Sequence, residues 1–160
     1  SPLSSSSAAS DVYKRQAIIL LGDTAFQFPL GWLSDKLGRP GIYLGCGIIA
    51  LLIGLALPLL MQTSTLLWPS LVILGAVAGG IYTLAIVLIG QSFSGADLVT
   101  ANASAGLLWG IGSLLGPLLS GAAMSGGSYG LPLTLAAAAA VVVVFALSLV
   151  RQGQLSKAAD

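Results

Sequence analysis

The sequence has 160 residues, of which 56% are hydrophobic and 7% are charged, with a net charge of +1 and a mean hydropathy of +0.99. Because a soluble domain carries about 25% charged residues, this composition excludes a soluble fold and indicates an all-α integral membrane protein. No basic patch is present to bind nucleic acid. The sequence has no His and one Cys, so we expect no metal site, no cofactor and no disulfide framework.

Residues 1–16 differ from the rest of the chain. The stretch SPLSSSSAAS is polar and of low complexity, and DVYKRQ follows it. It has neither an initiator Met nor the charged, apolar and cleavage regions of a signal peptide. We interpret this segment as a non-native leader, and the alternative is a native but disordered tail.

Five apolar segments follow, separated by residues typical of turns. About twenty helical residues cross the roughly 30 Å hydrocarbon layer of a membrane. Backbone groups in lipid must satisfy their hydrogen bonds internally, so each segment is predicted to be a transmembrane helix. The predicted spans are about 17–34, 41–60, 67–90, 101–124 and 131–150, within a helical bundle at 17–152 that precedes a tail at 153–160.

The basic residues predict the orientation of these spans. Lys36 and Arg39 lie in the first connector, and Arg151 and Lys157 follow the fifth span. An even number of crossings puts both pairs on the same side of the membrane, and the connectors on the opposite side carry no charge. The positive-inside rule therefore predicts that this side, with the C-terminus, is cytoplasmic.

Asp23 is a charged residue inside the first predicted span, about 18 Å along the helix from Asp35. A charge at that depth costs at least about 2.5 kcal/mol on insertion scales and usually faces a cavity or a proton path. Gln27 lies one turn further along the same face. We interpret Asp23 as a protonatable site that Gln27 orients. The alternative is that Asp23 lies near the start of a truncated helix, where it caps the helix or contacts water.

The first connector, GWLSDKLGRP, contains a tight group of charges. Asp35 lies at a helix C-terminus, where its charge opposes the helix dipole, so it needs a partner: Arg39, Lys36 or the N-terminus of another helix. Gly38 suits the left-handed residue that ends a helix, and Pro40 suits the first turn of the next. The pattern predicts a cytoplasmic turn that latches one helix bundle to another in one conformation.

The third and fourth spans carry more polar or small residues than their neighbours. The third contains Tyr82 and Thr83, and Ser94 with Asp97 forms a capping pattern before the fourth. The fourth span contains small residues spaced for close helix packing, and a proline that permits bending. These packing and hinge residues are Gly106, Gly110, Gly112, Gly116 and Pro117. The second and fifth spans are nearly featureless, and we expect them to face lipid or to pack at the periphery.

The first connector resembles the signature loop of the major facilitator superfamily of transporters, G-x-x-x-D-[RK]-x-G-R-[RK]. The matching residues are Gly31, Asp35, Lys36, Gly38 and Arg39. Pro40 departs from the last basic position, which puts one latch contact in question. Over about residues 17–152 the chain is similar to the C-terminal half, helices 8–12, of bacterial inner-membrane permeases. The alternative is helices 2–6 of an N-terminal half, because the two halves are repeats, and the short basic tail favours the C-terminal half. The resemblance implies a partial fold of this superfamily in a bacterial cytoplasmic (inner) membrane, with the N-terminal half of the transporter as its partner.

The same resemblance implies secondary active transport of a small-molecule solute by alternating access, with proton coupling as a further hypothesis. The matching third span lines the central cavity in the superfamily, so Tyr82 and Thr83 join Asp23 and Gln27 as a predicted translocation pathway. The alternative for the two hydroxyls is hydrogen bonding between helices, worth about 0.6 kcal/mol each. The alternative function is an accessory membrane subunit that assembles through its Gly-rich helix faces.

An intramembrane enzyme is the third function class, and the sequence argues against it. Without His or Glu, neither serine–histidine catalysis nor a histidine–metal site is available. Asp23 and Asp35 lie too far apart along one helix to form an aspartyl pair.

Overall fold

A computed structural model describes residues 2–127 and 129–159, with the side chains of 2–9, 11 and 153–159 outside the description. Within these residues the chain forms five helices, all long and apolar enough to cross a membrane. The all-α fold with five spans is therefore confirmed, and each predicted span lies inside one helix. The helices are α1 (Pro2–Leu37), α2 (Arg39–Leu60), α3 (Ser64–Ser92), α4 (Gly95–Ser125) and α5 (Gly130–Ala159).

Several helix ends lie beyond the predicted spans. The backbone of α1 is helical from Pro2, so it includes most of the segment interpreted as a leader, and the part long enough to span a membrane is Val12–Leu37. Whether residues 1–16 are native stays a prediction. At the other end, α5 extends the predicted tail as a helix to Ala159. The tail's cytoplasmic side stays a prediction, and the side chains beyond Gln152 lie outside the described residues.

Ser94 and Asp97 lie at the start of α4 as predicted, but Ser94 does not form the expected capping hydrogen bond. The helix begins at Gly95, which adopts a positive φ of 57°, and Ser94 is the N-cap residue. The Ser94 side chain makes no capping hydrogen bond, while Asp97 lies in the first turn. The carboxylate therefore complements the positive end of the helix dipole without the reciprocal bonds of a capping box.

Helices α1 and α3 pack backbone to backbone. A methyl group added at Gly22 would overlap the main-chain carbonyl of Val72, and one added at Gly75 would overlap that of Ile19. Small residues at these positions let the two helices approach closely, as is common in membranes. The contact fixes the relative height of the two helices.

Helix α2 packs against α3 and α5, and another face of it exposes Ile48, Leu52 and Leu55. The expectation that it faces lipid or packs at the periphery therefore stays a prediction. Gly47 and Gly54 of α2 contact Val143 and Ala136 of α5, and a methyl at either glycine would fit tightly. The core between these helices consists of small and aliphatic residues: Tyr43, Cys46, Ala50, Val77, Leu84, Ala139 and Ala146. The run of alanines in α5 thus packs against α2, whose glycines leave room for it.

Helix α4 is the least covered element, because none of its described residues is buried. It contacts α5 and, less extensively, α3. The Ser120 and Thr134 hydroxyl oxygens lie 3.1 Å apart and form a hydrogen bond between α4 and α5. Most of the α4 surface therefore has no partner among the described residues of this chain.

Candidate functional site

The first connector has the backbone predicted for it. α1 ends at Leu37, Gly38 has a φ of 93°, and α2 begins at Arg39 with Pro40 in its first turn. A positive φ strains any residue with a Cβ, so glycine is required at this corner. The proline lies where its missing N–H has no helical acceptor to lose. The two helices are consequently joined by one non-helical residue.

The charges of this connector pair locally. The Asp35 Oδ1 atom accepts hydrogen bonds from Arg39 Nη2 at 2.7 Å and Nε at 3.2 Å. Asp35 therefore pairs with Arg39, which is one of its three predicted partners. The Lys36 ammonium lies 4.0 Å from the centroid of the Trp32 ring, within the range of a cation–π contact. Asp35 remains 61% exposed and is accessible to a second partner.

Gly31, one turn before Asp35, has open space around it. No atom lies within 4 Å of a methyl group placed there, apart from its own helix turn. The close approach of another helix at Gly31 therefore involves none of the described residues and stays a prediction.

Three of the four predicted pathway residues line one pocket of about 430 Å³. Asp23 and Gln27 come from α1, and Tyr82 comes from α3. Trp109 of α4 and Gly79 of α3 also line this pocket. Tyr82, which is far from Asp23 and Gln27 in the sequence, thus meets them around one cavity, whose size is within the usual range for small-ligand sites.

Gly79 positions the carboxylate in this pocket. A methyl group added at Gly79 would overlap the Asp23 Oδ1 atom. The Gln27 Nε2 atom donates a hydrogen bond of 3.0 Å to that same oxygen. Asp23 is half-buried, and no ion-pair partner is present for it among the described residues. The Asp23 carboxylate therefore lies between Gln27 and Gly79, and no basic side chain of the described residues neutralises its charge.

The pocket lies close to the middle of the membrane-length helices. Asp23 is near the centre of Val12–Leu37, Gly79 is near the centre of Ser64–Ser92, and Trp109 is near the centre of Gly95–Ser125. Helices of these lengths that cross a bilayer place their central residues near its midplane. The interpretation of Asp23 as a helix-starting cap does not fit, because α1 continues for several turns before it.

A second pocket of about 460 Å³ adjoins the first. Its lining includes Tyr82, Thr83 and Val87 from α3, and Asn102 and Gly106 from α4. Tyr82 borders both pockets, so the two form one continuous surface of mostly apolar residues with a few polar groups. The Tyr82 and Thr83 hydroxyls make no hydrogen bond within the described part of the chain, so the alternative of hydrogen bonds between helices has no support there.

Trp109 and Gly79 were not singled out from the sequence as parts of this site. Trp109 lies seven residues after Asn102 and three after Gly106, which puts all three on one face of α4. The shared helix face of Trp109 and Asn102 could therefore have been recognised from their spacing in the sequence. Gly79 gave no such signal, because its role depends on which helix packs against α3.

The other small residues of α4 lie on an open surface. Around Gly106, Gly110, Gly112 and Gly116, no atom of another described element lies within 4 Å of an added methyl group. Gly116 also borders an apolar groove between α4 and α5. Pro117 lies inside α4, which continues as a helix on either side of it. The predicted packing and hinge roles of these residues stay predictions.

Comparisons with known proteins show similarity to one family of membrane proteins. The profile of the Major Facilitator Superfamily matches residues 16–159. An uncharacterized MFS-type transporter, YcaD of Escherichia fergusonii, is 35% identical over 101 residues, which are 63% of this chain and 25% of the relative. The chain thus matches about a quarter of the length of this curated relative. No solved structure matches the chain.

Proposed function

Because this chain belongs to the Major Facilitator Superfamily, we propose that it forms part of a secondary active transporter that moves a small-molecule solute by alternating access. The observation that carries this proposal is the pocket around Asp23, Gln27 and Tyr82, which lies at the middle of three membrane-length helices. A half-buried carboxylate at this depth is costly and is usually found on a transport path.

The solute path runs along the continuous surface of the two pockets on α1, α3 and α4. Asp23 and Gln27 contribute a hydrogen-bonded pair, and Tyr82 and Thr83 contribute hydroxyls without other partners in the described chain. A solute that enters the two adjoining pockets meets all four groups. We assign the substrate contacts to these residues.

Asp23 is also the group that we assign to proton coupling. It is an acidic residue in the middle of a membrane-length helix, and it has no ion-pair partner among the described residues. A carboxylate that binds a proton in one conformation and releases it in the other couples solute movement to a proton gradient.

The connector that contains Asp35 and Arg39 acts as the latch on the cytoplasmic side. Their ion pair lies at the corner between α1 and α2, and the exposed Asp35 carboxylate retains acceptor sites for a donor on another helix bundle. Closing this side stabilises the outward-facing state. The proposed orientation, with the C-terminus in the cytoplasm, is supported by the distribution of Lys and Arg, and the bacterial inner membrane is what the family resemblance implies.

The uncovered face of α4 is the surface for the remainder of the transporter. Its glycines are spaced for close helix packing and contact no other described element. The same face also supports the second candidate function, an accessory subunit that assembles with unrelated membrane proteins. The two functions differ in whether the assembled protein moves a solute.

The test is transport by the complete protein in proteoliposomes that contain a pH-sensitive dye. A panel of neutral, anionic and cationic solutes is added outside, and internal pH is recorded. We expect at least one solute class to drive a pH change, which Asp23→Asn abolishes. Asp97→Asn is the matched control, since it neutralises a carboxylate outside the pocket. Correctly inserted protein that moves no solute from any class, whether by dye response or by direct solute uptake, would contradict the transport function and favour the accessory subunit.

A further inference from the structure

The pocket around Asp23 has an unbalanced charge. Asp23 is the acidic residue of its lining, and the lining residues include no Lys or Arg. The Gln27 amide donates a hydrogen bond to the carboxylate but carries no charge to neutralise it. A charged group in a low-dielectric environment is strongly destabilised unless it is paired. The pocket is therefore electrostatically complementary to a cation supplied from outside the described residues.

Two aromatic rings border the same cavity. Tyr82 and Trp109 both line it, and they remain 48% and 64% exposed. The faces of aromatic rings attract cations, and Trp does so most strongly. Apart from Gln27, the rest of the lining consists of aliphatic side chains and glycines, such as Ile19, Leu20 and Ala78. An apolar cavity with one carboxylate and two aromatic rings suits an amphipathic cation.

We propose that the transported solute is an organic cation with an apolar body, whose charged nitrogen or phosphorus centre pairs with the Asp23 carboxylate between Tyr82 and Trp109. This inference rests on the proposed transport function and specifies its substrate class. Gly79 is the positioning residue of the site, because its missing side chain leaves room for the carboxylate against α3. The cation and a proton compete for the same carboxylate, so each conformational cycle exchanges one for the other.

Other solute classes fit the pocket less well. An anion would be repelled by Asp23. A sugar presents many hydroxyl groups, each of which costs free energy if it is buried without a hydrogen bond, and the pocket offers polar side chains at only a few positions among aliphatic ones. The competing source of a cation is a basic side chain from the rest of the transporter. That side chain would occupy the carboxylate permanently and leave no site for a cationic solute.

The experiment measures binding rather than transport. The complete protein in phosphatidylcholine nanodiscs is titrated with tetraphenylphosphonium, and the matched uncharged probe is tetraphenylsilane. We expect saturable binding of the cation at least tenfold tighter than that of the neutral probe. We expect Asp23→Asn to weaken cation binding at least tenfold, and Asp97→Asn to leave it unchanged.

The comparison of the two probes on the unmodified protein needs no variant and therefore does not depend on the folding of Asp23→Asn. Equal binding of both probes would overturn the proposal and point to a basic side chain as the partner of Asp23. Cation binding that persists in a folded Asp23→Asn variant would also overturn it, because the cation would then bind without this carboxylate. Transport of only neutral or anionic solutes would overturn the substrate class and leave the transport function intact. Cation binding without transport of any solute would sustain the site and contradict the transport function.

Discussion

The Asp23 carboxylate lies in the space that a side chain at Gly79 would fill. This contact joins the charged residue of α1 to the middle of α3, and it explains how a polar group is accommodated where two helices pack closely. The position of the carboxylate is thus set by a residue that has no functional group of its own.

Replacing Gly79 with Ala is therefore expected to impair the site without removing any polar group. The new methyl group displaces the carboxylate, so we expect the affinity for the solute to fall about tenfold or more while the protein still inserts into the membrane. Gly45→Ala in α2 is the matched control, since a methyl group there has no neighbour within 4 Å. Unchanged solute affinity in Gly79→Ala would show that the carboxylate does not need this position.

Replacing Gly75 with Ala tests the packing of α1 against α3. The added methyl overlaps the carbonyl of Ile19, and overpacking of this kind costs about 1–3 kcal/mol. We expect the free energy of unfolding in mixed micelles to fall by that amount, as measured by titration with a denaturing detergent. Gly121→Ala, at an open position on α4, should leave the stability unchanged or slightly raised. Equal stability of the two variants would contradict the backbone contact.

The Asp35–Arg39 pair is expected to matter for transport more than for stability. An exposed pair at this spacing contributes about 0.5 kcal/mol or less to folding, although its bond to Arg39 Nη2 is only 2.7 Å long. We expect Asp35→Asn to reduce the transport rate about tenfold or more with normal insertion and near-normal stability. A double-mutant cycle with Arg39→Gln measures how much of the effect the pair shares. Normal transport kinetics in Asp35→Asn would refute the latch.

Trp109 is expected to contribute through its ring rather than through its indole N–H. Trp109→Phe keeps an aromatic face in the pocket, whereas Trp109→Leu keeps only the bulk. We therefore expect solute binding to weaken about threefold to tenfold in Trp109→Leu and less in Trp109→Phe, as a cation–π contact implies. Trp32→Leu serves as the control, because that ring contacts Lys36 at the membrane edge and not the pocket. Equal losses in the Phe and Leu variants would argue against a role for the ring.

The local features of this chain were predictable from sequence. Apolar runs of sufficient length predicted five spans, and the conformations of Gly38 and Pro40 followed from what each residue permits at a helix junction. Asp35 had three possible partners, and the sequence did not select among them. Arg39 is the partner because the single non-helical residue at Gly38 keeps its side chain one turn from Asp35.

The tertiary contacts were not predictable in the same way. Asp23, Gln27 and Tyr82 were singled out by polarity in apolar helices, but their meeting in one pocket depends on the pairing of α1 with α3. Nothing in either helix alone specifies that pairing, because a glycine such as Gly75 looks the same in a sequence whether its surface is open or in contact. The packing of α2 against α5 was not predicted for the same reason.

The pairing of helices also has a consequence for biosynthesis. The closest partners are not neighbours in the chain, since α1 packs mainly on α3 and α2 mainly on α5. As the ribosome delivers the helices in order, α1 enters the membrane before the helix that covers its glycine surface exists. It is also the least hydrophobic of the five membrane-length helices described, and it carries Asp23. Asp23 therefore reaches its place against Gly79 only after α3 has emerged from the ribosome.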